Sequence, residues 1–222
     1  MIIITGASRG IGKYLYQTYK SLGEEVIGTF NKSEVEGLYK LNVSSNKEVE
    51  KFVENIKSKL NKVVLISCSG TSYSSFAHKS DAFLWGSVID VNLKGTYNMI
   101  RSLLPFMRKE SYGRIINFSS VVAQMGVHGT SAYAASKSAL WGMTKAIAVE
   151  NAKKNITINN INLGYFEIGM GIEMPADYKK IILEKIPTNS FGNPEDILKT
   201  INYIKDTPFL NGANIDLNGA II

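Results

Sequence analysis

One cysteine, Cys68, stands in the 222 residues, so no disulfide can form within the chain and a disulfide-stapled fold is excluded. The chain has only two histidines, His78 and His128, far apart and without metal-ligand spacing around them, so no metal site is expected. No apolar run is long enough to span a bilayer, and the first residues lack a basic region followed by an apolar segment. Neither a membrane span nor a secretory leader is therefore expected, and with the lone thiol this points to the cytoplasm. A long block of one charge is missing too. The net charge is +6, but Lys153-Lys154 and Lys179-Lys180 are isolated pairs, and no basic stripe suits nucleic acid. Repeats, low-complexity segments and signs of a second domain are absent. Residues 1–222 read as one domain that can bury a sizeable core, with the 45% hydrophobic and 20% charged content of an ordinary globular protein.

What is present is a regular alternation. Ile2–Ile4, Val26–Thr29, Leu38–Leu41, Lys62–Ile66, Arg114–Phe118, Ile156–Ile161 and Ala213–Leu217 read as seven strands. Helical patterns fall between them at Lys13–Leu22, Ser45–Leu60, Asp81–Met107, Ala132–Asn151 and Pro194–Ile204, with Pro105 expected to end or bend its helix. Alternation of this kind implies an α/β fold: a doubly wound Rossmann domain with a mainly parallel seven-stranded sheet flanked by helices. Ligands of such sheets bind outside the carboxyl ends of the strands.

The first strand leads directly into Thr5-Gly6-Ala7-Ser8-Arg9-Gly10-Ile11-Gly12 and then into a helix. Strand, glycine turn and helix together form a dinucleotide-binding unit. Gly6 lets the chain turn, Gly10 lets backbone approach a pyrophosphate, and Gly12 lets helix and strand pack. The amides at Ser8, Arg9 and Ile11 then face the phosphates at the helix N-terminus.

Tyr133 and Lys137 stand four residues apart in Tyr-Ala-Ala-Ser-Lys, which puts a phenol and an ammonium on one helical face. A free tyrosine titrates near pH 10, and a fixed positive charge beside it would favour the phenolate. With the hydroxyl of Ser120 upstream, the three groups suit proton exchange with one carbonyl oxygen.

The T-G-x-x-x-G-I-G turn, Val91-Asn92-Leu93, Ser119-Ser120 and the Y-x-x-x-K helix occur in the order and spacing of the short-chain dehydrogenases/reductases. From Ile2 to about Gly219, the chain resembles that family. The resemblance implies an oxidoreductase that moves hydride between a nicotinamide dinucleotide and a carbonyl or alcohol. Tyr133 would be the general acid and base, and Lys137 would lower its pKa and bond the nicotinamide ribose. Ser120 would hold the substrate oxygen, and Asn92 would interrupt its helix and position a water beside Lys137. Gly70, Asn42 and Val43 would line the adenosine side, and Gly164, Phe166 and Ile168 the carboxamide side. The end of the second strand, Thr29-Phe30-Asn31-Lys32-Ser33, carries no carboxylate, and Arg9 with Lys32 would suit a 2′-phosphate. NADP(H) is therefore favoured, with NAD(H) as the alternative.

Three departures from the family pattern stand out. Ser67-Cys68-Ser69-Gly70 replaces Asn-Asn-Ala-Gly, Leu163-Gly164 replaces Pro-Gly, and Ile168 replaces a threonine that contacts the carboxamide. Backbone groups of Phe166 and Ile168 are expected to take over that contact. The stretch Asn31–Gly37 is also too short for the usual helix. Substrate choice is expected in 164–187, where Tyr165, Phe166, Met170, Ile172, Met174 and Tyr178 mix with Glu167, Glu173 and Asp177. The partner is then a small carbonyl or alcohol, on an acyl carrier, a sugar or another metabolite. A dinucleotide-binding sensor or scaffold without turnover is the alternative. An epimerase or dehydratase fits less well, for want of a longer C-terminal substrate region. The small residues Ala134, Ser138, Gly142 and Ala146 form a helical stripe, and the family habit implies a homodimer or homotetramer.

Overall fold

The computed structural model describes residues 1–169 and 174–221, so Met170, Ile172 and Glu173 of the substrate segment lie outside the described residues. Seven strands form one sheet: β1 (Ile2–Thr5), β2 (Val26–Phe30), β3 (Tyr39–Lys40), β4 (Val64–Ser67), β5 (Gly113–Ser120), β6 (Ile156–Leu163) and β7 (Asn214–Leu217). Their order is β3-β2-β1-β4-β5-β6-β7, and every pairing is parallel. The central strands β1, β4, β5 and β6 are buried along their whole length, which is why they read as runs rather than alternations of apolar residues.

Alternation reappears in which layer each residue feeds. Ile3, Leu65, Ile115 and Ile158 point to one face, where they meet Val49, Phe52, Val53 and Ile56 of helix α2 (Asn46–Ile56). Met99, Ile100, Leu103 and Met107 of α4 (Gly95–Glu110) and Ile147 of α5 (Ser131–Asn151) complete that layer. Ile2, Ile4, Ile66, Ile116 and Ile161 point the other way, onto Leu15 and Tyr19 of α1 (Gly10–Ser21) and Ile197, Ile201 and Ile204 of α7 (Pro194–Asp206). Truncating a fully buried aliphatic such as Leu103 to alanine in such a layer costs about 2–5 kcal/mol.

Boundaries differ from the sequence reading where tertiary packing decides. The third strand shrinks to Tyr39–Lys40. The long helix divides into α3 (Ala82–Ile89), a π-helical turn Asp90–Lys94, and α4, which runs on past Pro105 to Glu110. The interruption thus lies at the π turn that carries Asn92, as expected for that residue, and Pro105 does not end the helix. Within the substrate segment, Ala176–Lys185 is a further helix, α6. Because β1 connects toward β2 and its sheet neighbour β4 connects toward β5, the order reverses between β1 and β4, and the crevice opens at their carboxyl ends.

Candidate active site

One wall of the crevice is the glycine turn. Gly6 and Gly10 hold φ values of +66° and +54°, in the left-handed region that favours glycine. A Cβ on Gly6 would come within 2.9 Å of the Ser69 backbone, and one on Gly12 within 2.3 Å of the Gly6 carbonyl oxygen. Helix, turn and the chain after β4 therefore touch backbone to backbone. Arg9 occupies the cap position of α1 in extended conformation, and no side chain caps the first amides. They are available to an anion at the positive end of the helix dipole.

The chain after β4 is held by two side chains. Thr5 Oγ1 accepts from Ser69 N at 3.1 Å. Asn92 grips Thr71 twice: its Oδ1 accepts from Thr71 N (2.8 Å) and its Nδ2 donates to Thr71 O (2.9 Å). The second Nδ2 hydrogen goes to Ser136 Oγ on α5 at 3.0 Å. Both amide hydrogens of Asn92 are thus committed to the scaffold. Asn92 ties three segments together at the π turn, a fold irregularity that recurs at functional sites.

The opposite wall is the end of β5 with the first turns of α5. Ser119 and Ser120 point to opposite sides. Ser119 Oγ donates to Lys137 O (3.0 Å) and accepts from Trp141 Nε1 (3.1 Å), so its hydroxyl is spent in the scaffold. Ser120 Oγ accepts from Val122 N at 3.2 Å and lies beside the Tyr133 phenol. Lys137, 7% exposed, donates from Nζ to Phe118 O at 2.7 Å, and its Nζ lies 5.6 Å from the centre of the Tyr133 ring. The structure therefore brings Ser120, Tyr133 and Lys137 together, with Asn92 behind them.

The electrostatics differ from expectation in one respect. Burial raises the Tyr133 phenol above its ordinary value, and the hydrogen bond with Ser120 only partly opposes this. The Lys137 ammonium donates to Phe118 O, and burial decides the direction of the phenol's shift. Burial brings Lys137 itself from 10.5 down to about 8, opposed by the neighbouring Cys68. The Cys68 thiol, beside Gly12, is pushed up by burial. Desolvation disfavours every charge at this site.

The adenosine-side residues are placed unevenly. Arg9, Asn31 and Lys32 are exposed next to the carboxyl ends of β1 and β2. Asn42 Oδ1 accepts from Ser44 N (3.2 Å) and Ser44 Oγ (2.8 Å), which forms the turn into α2. Val43 is buried against Gly95. After β6, Gly164 packs so tightly on Asn218 that a Cβ would lie 2.6 Å from its Cα. Phe166 is buried over Gly192. Ile168 N donates to Phe166 O at 2.8 Å, so two of the backbone groups expected to meet a carboxamide satisfy each other. Gly169 then returns to the glycine turn, its added Cβ 3.1 Å from Gly10 Cα.

Sequence reading names Thr5 only as part of the glycine turn and gives Thr71, in the cleft-lining stretch 70–79, no individual role. Thr71 is held through its backbone, which no side-chain pattern signals. Tyr165 of the substrate segment packs with Val121, Val122 and Met125 beyond Ser120.

The tight glycine turn and the uncapped helix N-terminus form a cradle that fits the diphosphate of a dinucleotide. Together with a buried phenol, hydroxyl and ammonium across the crevice, they define a Rossmann-type protein built around a dinucleotide. Comparison with known proteins makes this specific. A family profile described as short chain dehydrogenase matches residues 1–179. The chain is 33% identical to the 3-oxoacyl-[acyl-carrier-protein] reductase FabG of Thermotoga maritima, over 99% of this chain and 96% of that protein. It is 32% identical to the acetoacetyl-CoA reductase of Rhizobium meliloti, over 98% and 96%, and 31% identical to a FabG of Staphylococcus epidermidis, over 99% and 97%. The chain belongs to the short-chain dehydrogenase/reductase family of oxidoreductases. No helix among the described residues is long and apolar enough to cross a membrane.

Proposed function

We propose that this protein is an NADP(H)-dependent reductase of carbonyl groups, and that its substrate is the 3-oxo group of an acyl thioester. The observation that carries the reading is the convergence of Ser120, Tyr133 and Lys137 at the carboxyl end of β5, across the crevice from the glycine turn. The relatives named as 3-oxoacyl and acetoacetyl-CoA reductases, matched over nearly their whole length, support the substrate class. Exposed Arg9 and Lys32, with no carboxylate at the end of β2, support a 2′-phosphorylated cofactor.

A bound nicotinamide dinucleotide would supply the hydride to the carbonyl carbon. The protein does the rest. Tyr133, whose phenol burial raises above its ordinary value, gives its proton to the carbonyl oxygen as charge builds there. Ser120 donates a hydrogen bond to the same oxygen, and Lys137 supplies the nearby positive charge. Asn92 holds the crevice open to its correct width through Thr71. Substrate choice falls to the residues after β6, among them Tyr165 beside Val121, Val122 and Met125. The exposed Gly142, Ala146 and Val149 on α5 support self-association as a homodimer or homotetramer.

The test is NADPH oxidation with 3-oxoacyl thioesters of several chain lengths beside simple ketones, with Tyr133→Phe as control. Loss of a general acid lowers kcat by about 10²–10⁴. Turnover that survives Tyr133→Phe rules out the assigned proton donor. Tight NADPH binding without reduction of any carbonyl would favour a sensor instead.

A further inference from the structure

A second hydrogen-bonded array lies beneath α5, on the face of β5, β6 and β7 that this helix covers. Ser119 Oγ donates to Lys137 O at 3.0 Å and accepts from Trp141 Nε1 at 3.1 Å. The same indole N–H also reaches Asn162 Oδ1 at 3.0 Å. Asn162, 1% exposed, passes the array on, because its Nδ2 donates to Asp216 Oδ1 at 2.7 Å. Gln124 Nε2 donates to that same carboxylate oxygen at 2.9 Å. Gln124 ends the short 3₁₀ turn Val121–Ala123, which begins at Ser120. The array therefore starts at the backbone of Lys137 and closes on the segment that follows Ser120.

We propose that Trp141, Asn162 and Asp216 are positioning residues, which fix the separation of Ser120 from Lys137 from the edge strand β7. The argument rests on the reductase reading above. Ser119, Asn162 and Asp216 are register partners on three adjacent strands, so their side chains share one face and the array is rigid along the sheet. Ser119 is one residue from Ser120, so a backbone shift of β5 at Ser119 carries Ser120 with it. A buried asparagine is costly unless satisfied, and here its partners come from both α5 and β7.

The structure contains its own control. Two residues earlier on β6, Asn160 repeats the pattern: Thr144 Oγ1 donates to Asn160 Oδ1 at 3.0 Å, and Asn160 Nδ2 donates to Asn214 Oδ1 at 2.7 Å. This rung has the same chemistry and also ends on an exposed residue of β7, but on α5 it reaches Thr144 Oγ1 and, at 3.4 Å, Leu140 O rather than the backbone of Lys137.

The experiment compares Asp216→Leu, Asp216→Asn and Asn214→Leu in the full chain, reading kcat, cofactor KM and the pH profile. Asp216→Leu is expected to lower kcat about tenfold through misplacement of the reacting groups, while cofactor KM changes less than twofold. Asp216→Asn keeps the acceptor oxygen and should retain kcat, and Asn214→Leu should leave it unchanged. Equal kcat in the two leucine variants, or an asparagine variant as slow as the leucine one, overturns the proposal. If the wild-type protein reduces no 3-oxoacyl thioester, the functional reading fails separately. Hydrogen exchange over residues 117–124 and 133–141 then decides this inference. Faster exchange in Asp216→Leu than in Asn214→Leu supports it, and equal exchange overturns it.

Discussion

Replacing Lys137 by methionine should make the protein more stable at neutral pH while it removes activity. Lys137 is 7% exposed, and burial brings its ammonium from 10.5 down to about 8. The unfolded chain holds that proton more tightly than the folded one. Between about pH 8 and pH 10.5, the unfolded state therefore binds more protons, and this group's contribution to stability rises with pH. The penalty is fully present below pH 8 and gone above pH 10.5, and its size corresponds to about 3 kcal/mol. Methionine keeps most of the side-chain volume without the charge, but it abandons Phe118 O, at a cost of about 1 kcal/mol. The net gain at pH 7 is then about 2 kcal/mol, or roughly 4–8 °C in Tm for a chain of this size. The assay is chemical denaturation of both proteins without cofactor, in steps from pH 6.5 to 10. Their difference should shrink steadily above pH 8. Parallel curves, or a methionine variant less stable at pH 7, would show that the charge is not penalised by burial and would refute the reasoning.

Three further outcomes follow from the same geometry. Gly12→Ala drives a Cβ to within 2.3 Å of the Gly6 carbonyl, so dinucleotide titration should show at least a hundredfold weaker binding, with a lowered Tm. Asn92→Leu leaves both Thr71 backbone groups and Ser136 Oγ without their partner; denaturation should report a loss of about 2–4 kcal/mol, and kcat should fall with it. Lys32→Asp places a carboxylate where ribose hydroxyls would sit, and the ratio of kcat/KM for NADPH over NADH should fall at least tenfold; an unchanged ratio would remove Lys32 from the cofactor site.

Much of the fold and part of the site were legible because local chemistry specified them. Gly6 and Gly12 can be read from sequence because no other residue tolerates those backbone contacts. The helix interruption at Asn92 was legible only through a family pattern, since the π turn has no strong local signal. Pro105 misled because the loss of one backbone donor is tolerated inside a helix packed through Met99, Ile100, Leu103 and Met107. Strand β6 hides its polar cargo for a different reason. Asn159, Asn160 and Asn162 are all buried, and the groups that satisfy them, Leu210, Asn214 and Asp216, lie about fifty residues further along the chain. No short-range rule reports such partners.

The direction of the Tyr133 shift is the sharpest case, because spacing alone points the wrong way. An ammonium four residues from a phenol predicts a lowered phenol pKa, but burial of the phenol works in the opposite direction and is the larger effect here. Here the ammonium is drawn to Phe118 O, and both groups have lost solvent. The result is a protonated phenol beside a cation that holds its proton less tightly than usual. A proton donor for a carbonyl must still carry its proton when the substrate arrives, and Tyr133 does so across the neutral range. The charge it leaves behind is then met by Lys137, whose penalty for being charged falls once an anion forms beside it. In the opposite direction, the phenolate would have to exist before any substrate charge favoured it. Burial therefore raises the cost of a phenolate at the proposed site, and Lys137 can meet that charge only over the range of pH in which it keeps its own proton.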